Sequence, residues 1–273
     1  LLWCQQSGVD SFVVDKADQQ IWLTGETPSL SIEDNANLRL YFKAHQIKTL
    51  QHGMDMPVTP GLRKLCDDWV LMLNEFGPAY RGLNALASKA RNTGRVLIAP
   101  KGDFHVNADL NVLLKDLSDQ GLLTIFQDEV AFTSEPARFF SNGGWLELFV
   151  YSQVQLLKKT MPEIQDIWIS AQIEYPQEVR NELDVVFLAN NQLHIVEVKT
   201  ACLTDNASSM NQILYKLDSI AGALGDDYVK AMVVSLFPIA KSNEKRANLL
   251  EVSMISASQL QNIRTAIKSW IKT

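Results

Sequence analysis

Two apolar runs joined at Asn190-Asn191 constrain the fold of this chain more than any other feature. Leu183, Val185, Val186, Phe187 and Leu188 precede the pair, and Ile195, Val196 and Val198 follow it. Side chains alternate faces along a strand, so runs that are apolar on both alternations belong inside a sheet covered on both sides. With Asn190 and Asn191 as the central residues of a two-residue turn, Ala189 faces Gln192. Counting outwards, Asp184 stands opposite Glu197, while Lys199 shares the Glu197 face and lies diagonal to Asp184. Facing carboxylates in a sheet repel each other and resist leaving water. Two readings remain open at this point. A divalent cation would offset the repulsion, since hard Mg²⁺ or Mn²⁺ prefers oxygen ligands and keeps several waters. Alternatively, Glu182 pairs with Lys199 at the surface, and both acids are simply solvated at a frayed strand end.

The flanking pattern gives an α/β architecture. Ser141-Asn142-Gly143-Gly144 reads as a linker or helix start, and 145–157 as an amphipathic helix. A β-rich run at 166–175 precedes the two strands; a helix over 206–224, a strand over 231–237 and a closing helix over 257–271 follow. The order α-β-β-β-α-β-α predicts a mixed sheet flanked by helices. Residues 56–140 form a second texture. Leu62, Leu65, Trp69, Leu73 and Phe76 mark one helix that stops at Gly77-Pro78. A second helix carries Tyr80 to Ala90, a third Leu110 to Leu117, and a hairpin surrounds Gln127-Asp128-Glu129. Three helices and a hairpin predict a winged-helix-like segment. Residues 1–55 offer short strands at 11–14 and 20–24, a polar tract over 25–37 and an element of undecided type at 38–48. They are too few to bury a core alone.

Charge narrows the partners. The chain carries 25 Lys and Arg against 31 Asp and Glu, a net −6 that argues against a general polyanion-coating protein. Residues 80–105 run the other way: Arg81, Lys89, Arg91, Arg95 and Lys101 face only Asp103, making this stretch the candidate nucleic-acid contact. No apolar stretch is long enough to span a bilayer and no signal peptide is visible, so the expected location is cytoplasmic with no membrane partner. Cys4, Cys66 and Cys202 are widely spaced and read as reduced thiols. His45, His52, His105 and His194 show no ligand spacing, and His194 lies on the face opposite Glu197. Serine-hydrolase, zincin and P-loop patterns are absent. Among the tryptophans, Trp145, close to Glu147, is the one candidate for stacking on a base.

Gly143-Gly144-Trp145-Leu146-Glu147 at a helix start, Glu182-Leu183-Asp184-Val185, Val196-Glu197-Val198-Lys199 and a helix with Gln212 and Lys216 resemble the PD-(D/E)XK nuclease superfamily over 141–273. The usual Pro before the first acid is replaced by Leu183. More narrowly, the Gly-Gly-Trp-Leu-Glu start and Asn181-Glu182-Leu183-Asp184 resemble CRISPR-ancillary nucleases that join a Rossmann-like CARF domain to such a nuclease. The resemblance implies a restriction-endonuclease-like domain at 141–273, a winged-helix-like segment at 56–140 and the tail of a CARF domain at 1–55. It implies Asp184, Glu197 and the Val198 carbonyl as ligands of Mn²⁺ or Mg²⁺, with Glu147 reaching the ion directly or through water. Lys199 would orient the attacking water or neutralise the phosphate, and Gln212 and Lys216 would support the site. A nucleic-acid substrate, a cyclic oligoadenylate activator in type III CRISPR defence and a homodimer complete the expectation. The Gly-Gly-Thr-Lys-type loop that holds the activator in such domains is absent, so the ligand-binding residues are expected upstream of Leu1. The competing reading is a non-catalytic winged-helix regulator with an inactive nuclease fold. Retention of Glu147, Asp184, Glu197 and Lys199 argues against it.

Overall fold

The computed structural model describes residues 12–15, 20–23, 30–31, 36–98, 106–203, 207–225 and 228–273. They fall into two units, Leu1–Asn35 and Ala36–Thr273. In the first, β1 (Phe12–Asp15), β2 (Gln20–Leu23) and β3 (Leu30–Ser31) form an antiparallel sheet in that order. The first two strands match the expected runs to within a residue, and the third lies in the tract read as loop.

The second unit begins earlier than the expected boundary at 55. Asn37 caps α1 (Leu38–Ala44) by accepting the Leu40 N–H, and β4 (Lys48–Gln51) follows. β4 pairs antiparallel with β8 (Ile164–Glu174), and Leu38 and Phe42 of α1 are buried in the same cluster as Trp168 and Ile173 of that strand. Residues 36–51 therefore complete the C-terminal sheet. They cover the outer strand and its apolar face, which periodicity within so short a piece could not reveal.

Next come α2 (Pro60–Leu71) and α3 (Leu73–Lys89). The expected stop at Gly77-Pro78 is wrong. The chain breaks at Met72, whose N–H bonds back to Asp68 and Val70, and Pro78 lies inside α3. A missing proline donor near a helix start forfeits one bond, and burial of Ala79, Tyr80 and Leu83 just beyond it holds the helix. β5 (Arg95–Leu97), α4 (Ala108–Asp119), β6 (Leu123–Phe126) and β7 (Glu129–Phe132) follow, with sheet order β5-β7-β6. After α5 (Glu135–Phe139) a kinked turn over Phe140–Gly144 leads into α6 (Trp145–Lys158).

β8, β9 (Arg180–Ala189), β10 (Gln192–Lys199), α7 (Ala207–Leu224) and β11 (Val229–Ser235) agree with the expected order. Two further elements separate β11 from the end: α8 (Lys241–Leu249) and β12 (Ser253–Ser256). The closing segment is a 3₁₀ turn leading into α9 (Ile263–Lys272). The described strands give a six-stranded mixed sheet in the order β12-β11-β10-β9-β8-β4. β10-β11-β12 run parallel and β10-β9-β8-β4 antiparallel. One core cluster joins α2, α3, α4, α6 and α9 on one face, and another joins α1, α7 and α8 on the other. The helices of 56–140 thus share a core with the sheet, and no separation falls at 140. Among the described residues no helix is long and apolar enough to cross a membrane.

His194 lies in this interior. It is fully buried, stacked on Phe187 at 4.7 Å and edge-on to Trp270 at 4.8 Å, with Nδ1 3.0 Å from the Gln192 carbonyl. The carbonyl accepts, so Nδ1 carries the proton, and Nε2 has no hydrogen-bond partner. Burial pushes the imidazole down to about 3, the bond to Gln192 pulling partly back. The unfolded chain therefore takes this proton first. Stability is full above about pH 6.5 and falls by about 1.4 kcal/mol per unit from there towards pH 3. His194→Phe is expected to remove this slope; urea midpoints that fall equally in both proteins between pH 6.5 and 5 would refute it.

Candidate active site

β9 and β10 pair as expected, from Ala189 opposite Gln192 to Val185 opposite Val196. One residue further on, the Asp184 carboxylate accepts the Val198 N–H at 2.7 Å. The strand end thereby presents its oxygens to one place. The Lys199 ammonium lies 2.8 Å from Glu197 Oε1, 3.0 Å from the Val198 carbonyl and 3.6 Å from Asp184 Oδ2. Glu197, only 3% exposed, also receives Lys216 Nζ at 3.3 and 3.2 Å, one to each oxygen. The surface pair between Glu182 and Lys199 is not made. Glu182 is exposed and stands opposite Gln172 of β8.

Glu147 enters from the first turn of α6, nearly buried, and accepts a hydrogen bond from Ser170 Oγ at 3.2 Å. Ser170 has φ 48, a strained value for a side-chain-bearing residue, and interrupts the β8–β9 ladder between Ile169 and Ala171. Burial, followed by the Asp184 and Glu182 charges, holds the Glu147 carboxyl well above the usual range, with Ser170 and Lys199 pulling partly back. Burial and the neighbouring Glu197 charge push Asp184 up to about 6, against Lys199, the Val198 N–H and Lys216. Burial would lower Lys199, but the Asp184, Glu197 and Glu147 charges win and keep it above the usual lysine range. Three carboxyl groups and two ammoniums share the cluster, and burial with mutual repulsion opposes full ionisation of the acids. Among the described residues no three His, Cys, Asp or Glu side chains converge into a ready-made metal cage.

A cleft of about 340 Å³ opens on this cluster, lined by Glu147, Val198, Lys199 and Thr200 and by Asn84 and Ser88 of α3. Asn84 Nδ2 donates to the Thr200 carbonyl at 2.8 Å, and Ser88 Oγ contacts Asn142 Oδ1 at 3.1 Å. Gly143 closes the cleft at φ 131, and a Cβ there would sit 2.7 Å from Thr200 Oγ1. Gly143→Ala is accordingly expected to cost about 1–3 kcal/mol and to slow turnover by shifting the strand beside Lys199. Unchanged urea midpoint and unchanged rate would contradict this.

Other expected residues are dispersed. Gln212 is exposed on α7, and no described carboxylate of the site takes a hydrogen bond from it, whereas Lys216 makes the contact one turn on. Arg81 lies over the Phe237 ring at 5.1 Å, and Arg95 pairs with Glu129 at 3.2 Å. Lys89 and Arg91 are exposed at the end of α3, and Lys101 lies outside the described residues, as do Cys4 and His105. Trp145 cannot stack on a base: it is fully buried, 5.2 Å from Trp69 and 5.4 Å from Tyr80. Sequence reasoning missed Ser170, Asn84 and Arg138. Arg138 is buried, grips Glu135 with two bonds of 2.7 and 2.6 Å and donates to the Ala87 carbonyl, tying α5 to α3. None of the three sits in a motif: the folded chain alone brings Ser170 and Asn84 to the site and sets Arg138 between α5 and α3.

The mixed sheet, with an Asp on one strand and Glu-x-Lys on its neighbour, defines an α/β protein of restriction-endonuclease-like build. Its family is specific. A family model for the Card1-like endonuclease domain matches residues 134–273, and the chain belongs to that family of nucleases. Protein VC1899 from Vibrio cholerae is 30% identical, with a TM-score of 0.81 over 98% of this chain and 70% of that one. Can2 from Sulfobacillus thermosulfidooxidans, solved with cyclic tetra-adenylate, is 23% identical with a TM-score of 0.75. That likeness, over 99% of this chain and 71% of Can2, is one of fold. No curated protein sequence matches the chain.

Proposed function

We propose that this nuclease hydrolyses nucleic-acid phosphodiesters with Mg²⁺ or Mn²⁺ held by Asp184, Glu197 and the Val198 carbonyl. Glu147 completes the site directly or through water. The observation that carries the reading is the position of Lys199: its ammonium stands among the same three oxygens, 2.8, 3.0 and 3.6 Å away. A cation is favoured there, and the donors are all oxygen, as a hard ion requires. Two carboxylates and a carbonyl leave room for the several waters that Mg²⁺ keeps. When bound, such an ion acidifies a water and polarises the phosphodiester.

The remaining work falls to the chain. Lys216 holds the Glu197 carboxylate in place from α7. Lys199 turns towards the attacking water or the phosphate, where an ammonium offsets negative charge as it builds. Asn84, Ser88 and Asn142 supply neutral hydrogen-bonding groups on the opposite wall of the cleft. Residues 56–140 act as a winged-helix-like wall whose Lys89 and Arg91, with Arg81, Arg95 and Lys101, draw the polyanionic strand in.

With residues 36–51 counted in the nuclease sheet, the first unit, Leu1–Asn35, is what remains for the tail of a CARF domain, and the Can2 relative was solved with cyclic tetra-adenylate. On those grounds the protein acts in type III CRISPR defence as a cytoplasmic homodimer switched on by a cyclic oligoadenylate. The test is cleavage of supercoiled plasmid, single-stranded DNA and single-stranded RNA with Mg²⁺ or Mn²⁺ against EDTA, each with and without cyclic tetra- or hexa-adenylate. Cutting that needs the metal and rises with one ring is the expected result. Cutting that persists in EDTA would sink the metal assignment, and indifference to both rings would sink the activator. Salt-sensitive binding without cutting under any condition would instead favour the regulator reading.

A further inference from the structure

A second cavity, of about 300 Å³, lies on the other side of Glu147, between the loop after β4, α5 and strands β8 and β9. Ser170 lines it and donates to Glu147, which lines the catalytic cleft, so the partition between the two spaces is one hydrogen-bonded pair thick. We propose that this cavity receives one unpaired nucleobase of the substrate strand, next to the scissile phosphate, and selects bases that carry an amino group. The proposal rests on the nuclease reading and adds a substrate preference to it.

Its lining decides what can enter. Met54, Met56 and Phe139 give a soft apolar surface, and Phe139 keeps 39% of its surface exposed. An aromatic ring with polarisable thioethers around it suits a flat π-system. The polar lining is the carboxylates of Asp55, Glu135 and Glu182, the amides of Gln51 and Gln172 and the Ser170 hydroxyl, and among the described residues no Lys or Arg lines the cavity. Phosphate is repelled by such a wall and stays with Lys199 in the neighbouring cleft, leaving the base as the part that fits. Three carboxylates only accept hydrogen bonds, against two amides that both donate and accept, so acceptors predominate along the wall and favour bases presenting N–H groups. Adenine, cytosine and guanine each carry an amino group, whereas thymine and uracil present carbonyl oxygens beside a single N–H. Inside a duplex that edge is paired and the face is stacked, so the base arrives from a single strand or by extrusion.

The test is end-sequencing of products from a randomised single-stranded substrate cut by the full-length protein with Mn²⁺ and the activator. The wild type is expected to show about tenfold depletion of thymine or uracil at one position beside the cut. Phe139→Ala and Asp55→Asn, tested separately, are each expected to flatten that depletion while cutting continues. Even base usage by the wild type, or depletion unchanged in both variants, would overturn the proposal and leave the nuclease reading standing. If the wild type does not cut at all, the nuclease reading fails by itself. The cavity is then tested by binding of a single strand carrying 2-aminopurine: quenching that weakens in both variants supports it, and equal quenching in all three proteins overturns it.

Discussion

Glu197→Gln is expected to lower cleavage by about 10³-fold or more, equivalent to about 4 kcal/mol of barrier, while leaving the protein folded. The side chain keeps its shape and loses its charge from a cluster in which three buried carboxyl groups crowd together. Asp184 is pushed up partly by Glu197 itself, so neutralising Glu197 relieves a repulsion. The two lysines it releases are not stranded, because Lys199 and Lys216 have side chains 28% and 39% exposed and reach water. Asp184→Asn and Lys199→Ala are expected to abolish cleavage in the same way. Far-ultraviolet circular dichroism and the thermal midpoint check the fold, and product formation under saturating Mn²⁺ checks the chemistry. Any of the three variants cutting at the wild-type rate would remove that residue from the site.

Trp145→Ala is expected to destabilise the protein by about 3–5 kcal/mol, the range for deleting a large buried aromatic side chain. Trp145 is fully buried and packs edge-on against Trp69 of α2 and face-to-face with Tyr80 of α3. Tyr80 in turn donates to the Trp69 carbonyl at 2.7 Å, and Trp69 Nε1 donates to Asp116 of α4 at 2.9 Å. One ring therefore pins the helices of 56–140 to the helix that carries Glu147, two residues along. Urea unfolding followed by tryptophan fluorescence and by circular dichroism should give one shared transition, shifted in the variant. Two separate transitions in the wild type would mean that 56–140 and 141–273 are independent bodies, against the common core.

The hairpin was legible because its information is local. Two apolar strands and an Asn-Asn turn fix the register, and the register alone brings Asp184, Glu197 and Lys199 together. Both turn residues take positive φ, 53 at Asn190 and 57 at Asn191, which asparagine tolerates better than most residues. The helix carrying Glu147 was equally clear from its amphipathic run. What the sequence hid depends on distant partners. α1 and β4 look orphaned until β8 offers an edge and an apolar face, and α8 and β12 are too short and polar to stand out. Ser170 reads as an ordinary strand residue; its strained backbone, opposite Asp184, comes from the sheet around it. The expected stop at Gly77-Pro78 failed because a local breaker rule was outweighed by tertiary burial of the next turn. Trp145 was misjudged for the reverse reason: its neighbour Glu147 faces the cleft while the indole turns into the core.

The most direct measurement of the central claim is Mn²⁺ titration of the wild type, Asp184→Asn and Glu197→Gln, followed by calorimetry and by the Mn²⁺ paramagnetic resonance signal. The account expects a site in the wild type that is weakened at least tenfold in each variant while both remain folded. Equal Mn²⁺ binding by all three proteins would contradict it, because the ion would then sit elsewhere and the oxygens around Lys199 would be no more than an ion-pair cluster.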